Sequence, residues 1–138
     1  MSGGINVYLI DTNIFLEYIL KRQHVREVRD FFYRVDPALL HMTDFSLHTL
    51  GVIYLREQKA GDFLTFINED ILASGIRILS LDPDNFAKIA EVSTRFHLDF
   101  DDAYQYTIAD LNNLTIVSYD RDFDRTEKGR REPQDLLT

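Results

Sequence analysis

The stretch that decides the fold is Ile5-Asn6-Val7-Tyr8-Leu9-Ile10-Asp11-Thr12-Asn13. Its first six residues are mostly apolar and predict a buried central strand. The polar residues Asp11 to Asn13 predict that the chain turns there and enters a helix. A second apolar run, Thr115 to Ser118, also leads into an aspartate, Asp120. Because ligands bind at the carboxyl ends of parallel strands, we expect both aspartates at one edge of a sheet.

The rest of the chain alternates short apolar runs with amphipathic stretches. This alternation is typical of βαβ units and predicts an α/β fold with a parallel sheet. Strands are predicted at Ile5–Ile10, Ala38–Met42, Ile76–Leu79 and Thr115–Ser118. Helices are predicted at Ile14–Leu20, Val25–Val35, Thr43 or Asp44 to Glu57, Asp62–Leu72, Pro83–Phe96 and Phe100–Leu111, with a break at Ala60-Gly61.

Two local patterns carry further expectations. In the helix that begins at Pro83, the spacing of apolar and small residues predicts an inner face made of Phe86, Ile89, Ala90 and Ser93. Near the end of the chain, Leu136-Leu137 is a candidate for a short edge strand.

The composition is that of a soluble globular protein. The 138 residues suffice for one domain, and 45% of them are hydrophobic. The chain has no cysteine, which excludes disulfides and thiolate metal sites and fits a reducing cytoplasm. No stretch approaches the roughly 18 apolar residues that a membrane helix needs. The start, Met1-Ser2-Gly3-Gly4, lacks the features of a signal peptide.

The formal net charge of −8 argues against nucleic-acid binding by bulk electrostatics. Basic residues gather only near the end of the chain, where two alternatives stay open. The segment is either an edge that contacts phosphates or a solvated, partly disordered tail. Its basic residues are Arg121, Arg125, Lys128, Arg130 and Arg131.

A third acidic group lies at the start of a late helix, in Asp99, Asp101 and Asp102. The helix dipole favours one or two acids in a first turn, but three repel one another. Carboxylates that converge from distant parts of the chain are held ionised together most readily by a divalent cation. Taken singly, Asp11 is equally well a helix cap. Asp120 with Asp122 is a weak signal alone, and its alternative is a polar turn anchored by Phe123.

Together these motifs resemble the PIN domain family: strand-Asp-Thr-Asn, then Asp-Asp-Ala on a late helix, then Ser-x-Asp-x-Asp-Phe after the last main strand. The resemblance covers essentially the whole chain and implies a single PIN-like domain over 1–138. It implies a three-layer α/β/α sandwich with a mostly parallel central sheet. Active family members are ribonucleases that depend on Mg²⁺ or Mn²⁺. The likeness is greatest to the toxins of VapBC toxin–antitoxin pairs, which implies RNA as substrate, an antitoxin that blocks the acidic cleft, and a homodimer.

The resemblance also assigns the site. Its catalytic acids fall on Asp11, Asp102 and Asp120. The metal ligands it implies are Asp11, Asp101, Asp102, Asp120 and Asp122. Supporting roles fall on Thr12, Asn13, Ser118, His48 and Thr49.

One position departs from the family pattern. A glutamate usually lies in the helix after the second strand, and here Thr49 occupies its place, with His48 beside it. A hydroxyl supplies no charge, so two functions stay open. The first is an endoribonuclease; the second is a module with the same fold that binds RNA or a protein partner without efficient cleavage. A haloacid-dehalogenase-type phosphatase is disfavoured, because it needs an aspartate where this chain has Asn13.

Overall fold

A four-stranded parallel sheet forms the centre of the protein. The computed structural model describes residues 6–137. The strand order is β3-β2-β1-β4, and every pair is parallel. The strands are β1 (Tyr8–Ile10), β2 (Leu40–Thr43), β3 (Arg77–Leu79) and β4 (Thr115–Val117). The predicted α/β class is confirmed, although Ile5, the first residue of the predicted first strand, lies outside the described residues.

Helices cover both faces of this sheet. Successive residues of a strand point to opposite faces, so Leu9 packs in one apolar cluster and Ile10 in the other. The predicted three-layer α/β/α sandwich is therefore confirmed. The helices are α1 (Thr12–Ile19), α2 (Val25–Arg34), α3 (Asp44–Arg56), α4 (Ala60–Thr65), α5 (Phe86–Phe96) and α6 (Phe100–Leu111), and α4 continues into a π-helical segment, Phe66–Leu72. None of the helices in residues 6–137 is long and apolar enough to cross a membrane.

Several predicted boundaries shift by one or a few residues, among them the start of β2 and the break before α4. Pro37–Leu39 forms a 3₁₀ turn, so β2 starts at Leu40 rather than at Ala38. The break before α4 lies at Gln58, whose φ is +58°, and not at Ala60-Gly61. A left-handed backbone angle ends a helix directly, whereas a single glycine is tolerated inside one.

The prediction of an edge strand at Leu136-Leu137 is wrong. Pro133–Leu136 forms a 3₁₀ turn instead. The chain pairs with the sheet edge earlier, where the backbone N–H of Arg131 donates to the carbonyl of Ile116 at 2.8 Å. The N–H of Ser118 donates back to the Arg131 carbonyl at 3.0 Å. Proline lacks an N–H and fixes φ, which favours an end to the pairing at this point.

The predicted inner face of α5 is also only partly correct. The helix buries Ile89, Val92 and Phe96, whereas Phe86 is 43% exposed and Ala90 is exposed. The turn Pro83–Asn85 that precedes α5 is a 3₁₀ turn. The buried residues Ile89, Val92 and Phe96 follow the helical spacing of three and four, so the buried face shares Ile89 with the predicted face and is rotated from it toward Val92.

Candidate active site

Three aspartates from two distant segments meet at the carboxyl edge of the sheet. Asp102 comes from the first turn of α6, and Asp120 and Asp122 come from the 3₁₀ turn after β4. One carboxylate oxygen of each lies within 4.8 Å of the others. Asp102 is buried and the other two are half-buried. The backbone N–H of Asp122 donates to Oδ1 of Asp120 at 2.9 Å, which fixes this turn.

The electrostatics of this carboxylate cluster favour a bound cation. Burial is the largest cause that raises the pKa of Asp102 to about 8, and the charges of Asp101, Asp11 and Asp120 supply the rest of this rise. Oxygen ligands lie about 2.0–2.6 Å from Mg²⁺ or Ca²⁺. Two ligands of one ion are therefore at most about 4–5 Å apart, so oxygens within 4.8 Å of one another are close enough to share an ion. An all-oxygen donor set is the one that hard divalent cations prefer.

Asp11 lies beside the cluster but turns toward the protein interior. It is 4% exposed. Its Oδ1 accepts from Nε2 of Gln105 at 2.8 Å, and its Oδ2 accepts from Oγ of Ser118 at 2.6 Å. Burial raises the pKa of Asp11, and these two hydrogen bonds partly offset that effect. Asp11 occupies the N-cap position of α1, but its side chain makes no capping hydrogen bond, because both oxygens are engaged with Gln105 and Ser118.

Ser118 links Asp11 to the cluster. Its buried hydroxyl donates to Asp11 and accepts from the backbone N–H of Asp120 at 2.8 Å. Asn13 adds a weaker donation from Nδ2 to the same hydroxyl at 3.3 Å, and its Oδ1 accepts from the N–H of Tyr119 at 3.4 Å. The structure thus brings together residues that directly follow β1 and β4 and one from the first turn of α1, which the sequence had placed at one edge.

Two buried polar residues of the site escaped the sequence analysis. Gln105 donates to Asp11, and Ser46 lies 2.7 Å from Oγ1 of Thr12 and 3.5 Å from Oε1 of Gln105. One signal was available, because Gln105 follows Asp102 by three residues and so shares a helix face with it. Apart from this spacing, nothing in the sequence indicated a role for a glutamine in the apolar part of that helix.

Other predicted site residues do not join the cluster of three. Asp101 and His48 are exposed. The hydroxyl of Thr49 donates to the backbone carbonyl of Phe45 at 3.1 Å. Among the described residues, the only group of three or more histidines or acids close enough to share an ion is Asp102, Asp120 and Asp122. Helix α3 therefore adds no carboxylate to that group.

The basic segment near the end of the chain is ordered, and two of its five basic side chains, Arg125 and Arg130, have partners inside the protein, while Arg121, Lys128 and Arg131 are exposed. Arg125 donates to the carbonyls of Phe96 at 3.0 Å and His97 at 2.7 Å. Arg130 donates to the Ser118 carbonyl at 3.1 Å and pairs with two acids of its own segment. The alternative of a disordered tail is wrong for the described residues. Arg130 holds the carbonyl that precedes the acidic turn, and Arg125 joins this turn to the end of α5 and pairs with Oδ1 of Asp122 at 3.1 Å.

A sequence profile of the PIN domain matches residues 8–129 of the chain. A toxin–antitoxin complex from Klebsiella pneumoniae has a similar structure, with a TM-score of 0.73, 17% identity, and coverage of 91% of this chain and 97% of that one. FitAcB from Neisseria gonorrhoeae is similar with a TM-score of 0.69, 20% identity, and coverage of 94% and 100%. FitAB bound to the IR36 DNA fragment is similar with a TM-score of 0.71, 16% identity, and coverage of 96% and 99%. No curated protein sequence matches the chain.

Proposed function

Because the chain belongs to the PIN domain family, we propose that it is a metal-dependent endoribonuclease that hydrolyses RNA phosphodiester bonds. In this proposal, residues 1–138 form one catalytic domain. The observation that carries it is the group formed by Asp102, Asp120 and Asp122, whose oxygens lie within 4.8 Å of one another. Asp102 is buried while Asp120 and Asp122 are half-buried, and repulsion among carboxylates this close favours a bound proton or cation. Arg125, 3.1 Å from Oδ1 of Asp122, offsets part of that repulsion.

The cation is Mg²⁺ or Mn²⁺, and these three aspartates would hold it directly. When bound, such an ion lowers the pKa of a water molecule and polarises the scissile phosphate. Asp11 would orient the nucleophilic water or reach the ion after a side-chain rotation, and Asp101 lies exposed at the mouth of the site. Ser118 and Asn13 would hold Asp11 and Asp120 in position. Thr12 would support the site indirectly, through its hydroxyl contact with Ser46.

We further propose that the protein is the toxin of a toxin–antitoxin pair, acts in the cytoplasm and forms a homodimer. Two of the similar structures support the first part: one is described as a toxin–antitoxin complex and another as FitAB bound to DNA. The absence of cysteine fits a reducing compartment. The surplus of negative charge favours an antitoxin that presents basic side chains to the cleft.

A cleavage assay tests the nuclease proposal. End-labelled single-stranded RNA of mixed sequence is incubated with the protein and Mg²⁺ or Mn²⁺, and with EDTA in parallel. We expect cleavage only with metal, and none above background with Asp102→Asn or Asp120→Asn. The matched control is Asp110→Asn, which removes an exposed carboxylate at the far end of α6 and should cleave normally. Cleavage that persists in EDTA, or that survives Asp102→Asn, contradicts the proposal.

One observation favours a second candidate function, a PIN-fold module that binds RNA or a protein partner without efficient cleavage. Thr49 supplies no carboxylate, and its hydroxyl is engaged with the Phe45 carbonyl. Replacing it tests this candidate: if Thr49→Glu creates cleavage where the natural chain shows none, the natural chain is a binding module. If both proteins cleave at similar rates, the remaining carboxylates suffice.

A further inference from the structure

We propose that the exposed face of α2 binds the phosphates of an RNA strand and guides that strand toward the carboxylate cluster. This inference rests on the nuclease function proposed above. The surface consists of Arg26, Arg29 and Tyr33, and we call it the α2 stripe. All three side chains are exposed, and Tyr33 is 90% exposed.

Helical spacing places these three residues on one side of α2. They follow one another at intervals of three and four residues, which brings their side chains onto the same face. The opposite face holds the buried residues Val28 and Phe31, so the stripe points away from the protein core. Along the chain the arginines alternate with acidic and apolar residues. The sequence therefore showed basic residues gathered only near the end of the chain, and the helix reveals this second group.

The segment that carries the stripe is basic in an otherwise acidic protein. Residues 21–34 hold five basic and two acidic side chains, whereas the whole chain has a net charge of −8. Lys21 and Arg22 in the loop before α2, and Arg34 at its end, are exposed as well. Like charges on one helix face repel one another, and a bound phosphate offsets that repulsion.

The arginines of the stripe are not used inside the protein. None of the ion pairs within residues 6–137 involves Arg26 or Arg29. Asp30 is exposed on the same helix, and Glu69 and Asp70 line a cavity together with Arg29, yet none of these acids forms an ion pair with the stripe. Both guanidinium groups therefore remain available to a ligand.

The start of α2 lies beside the acidic turn that follows β4. The ring of His24, directly before α2, stacks on the ring of Tyr119, with 4.3 Å between the centroids and 16° between the planes. The hydroxyl of Tyr119 donates to Glu27 at 2.5 Å. Tyr119 directly precedes Asp120 of the cluster, and Glu27 directly follows Arg26. The α2 stripe therefore begins close to the carboxylate cluster and leads away from it along the helix.

An RNA strand suits the stripe better than an acidic protein does. Arginine pairs with carboxylates as well as with phosphates, so the surroundings of the two arginines decide between these partners. The exposed ring of Tyr33 offers a platform on which a base stacks. From Arg26 to Tyr33 the helix rises about 10 Å, which corresponds to about three nucleotides of a stacked strand. The stripe also starts next to the acids that would cut that strand.

The salt dependence of RNA binding tests the proposal. Fluorescence anisotropy in EDTA measures the affinity for a labelled single-stranded RNA between about 50 and 200 mM salt. Each phosphate contact contributes about 0.7 to the slope of log affinity against log salt for a single strand. Arg26→Gln, Arg29→Gln should therefore reduce the slope by about 1.4 and lower the affinity about 5-fold for each lost contact at about 0.1 M salt. The matched control Arg56→Gln, Arg77→Gln removes two exposed charges on α3 and β3 and should leave the slope unchanged.

A variant of Tyr33 tests the kind of partner. Tyr33→Ala should weaken binding of RNA and leave an abasic strand of the same length unaffected, whereas the double arginine variant should weaken both strands equally. RNA binding that is the same in the double arginine variant and the natural chain overturns the inference. So does sedimentation that finds a dimer in the natural chain and a monomer in this variant, because the stripe then contacts an acidic surface of a second copy.

The metal-dependent cleavage assay separates the inference from the proposed function. We expect the double arginine variant to show a raised KM and a nearly unchanged kcat, because the stripe holds the strand away from the reacting phosphate. If the natural chain cleaves RNA and this variant cleaves with the same KM, the α2 inference alone is wrong. If the stripe binds RNA as expected but no cleavage occurs, the nuclease proposal alone fails. If the natural chain neither binds nor cleaves RNA, both fail.

Discussion

Replacing Asp102 with asparagine should stabilise the protein when no metal is present. Burial and the neighbouring acids raise the pKa of Asp102 from 3.8 to about 8. A carboxyl whose pKa is higher in the folded state contributes its full stability below pH 3.8 and loses it as the pH rises through about 8. The free energy of unfolding of the natural chain should therefore fall over this range, whereas Asp102→Asn escapes that loss.

The magnitude follows from the two pKa values. One pH unit corresponds to about 1.4 kcal/mol, so between pH 3.8 and pH 7 the ionisation of Asp102 costs up to about 4 kcal/mol. This is an upper limit, because Asp102 shares its proton affinity with the acids around it. For a chain of this length about 1 kcal/mol changes the melting temperature by roughly 3 °C, so the variant should melt up to roughly 10 °C higher at pH 7.

Scanning calorimetry in EDTA, at pH values between 4 and 8, measures this difference. We expect it to be near zero at pH 4 and to grow with pH. Mn²⁺ should then raise the melting temperature of the natural chain and leave that of Asp102→Asn nearly unchanged. The control Asp110→Asn breaks only an exposed ion pair with Lys88 and should change the free energy of unfolding by at most about 1 kcal/mol. An Asp102→Asn protein that melts below the natural chain at pH 7, or a difference that does not vary with pH, refutes the reasoning.

Three further predictions concern the surroundings of the cluster. Gln105→Leu should lower the free energy of unfolding by about 2–3 kcal/mol in urea titrations, because Oδ1 of buried Asp11 then lacks a donor. Arg130→Ala should lower it by about 1–2 kcal/mol, because Arg130 is almost buried and donates to the carbonyl that precedes the acidic turn. His48→Ala should leave Mn²⁺ affinity unchanged in isothermal titration calorimetry, whereas Asp122→Ala should weaken it clearly.

Matched substitutions in exposed positions serve as controls for these variants. Gln134→Leu and Arg131→Ala change the same residue types at exposed positions, and each should alter the free energy of unfolding by about 0.5 kcal/mol or less. A Gln105→Leu protein as stable as Gln134→Leu would mean that water replaces the lost donor. A tenfold loss of Mn²⁺ affinity in His48→Ala would mean that this histidine reaches the ion.

Most of the fold could be predicted because the signals for it are local. Apolar runs, amphipathic spacing and turn residues placed the four strands and the order of the helices. The errors arose where neighbouring elements decide the outcome. The packing of α5 buried a face rotated from the predicted one, and the pairing of Arg131 with β4 replaced the expected edge strand at Leu136-Leu137.

For the site, the sequence by itself determined that Asp11 and Asp120 lie at one edge, because both follow strands of a parallel sheet. It could not determine which acids come together. Asp101 and Asp102 are neighbours in sequence, but they point about 100° apart on α6, so one is exposed and the other buried in the cluster. Likewise, only the packing of α6 against β1 directs Gln105 to Asp11. Local order follows from residue type and spacing, whereas the direction of each side chain depends on how the elements pack, and that packing decided the site.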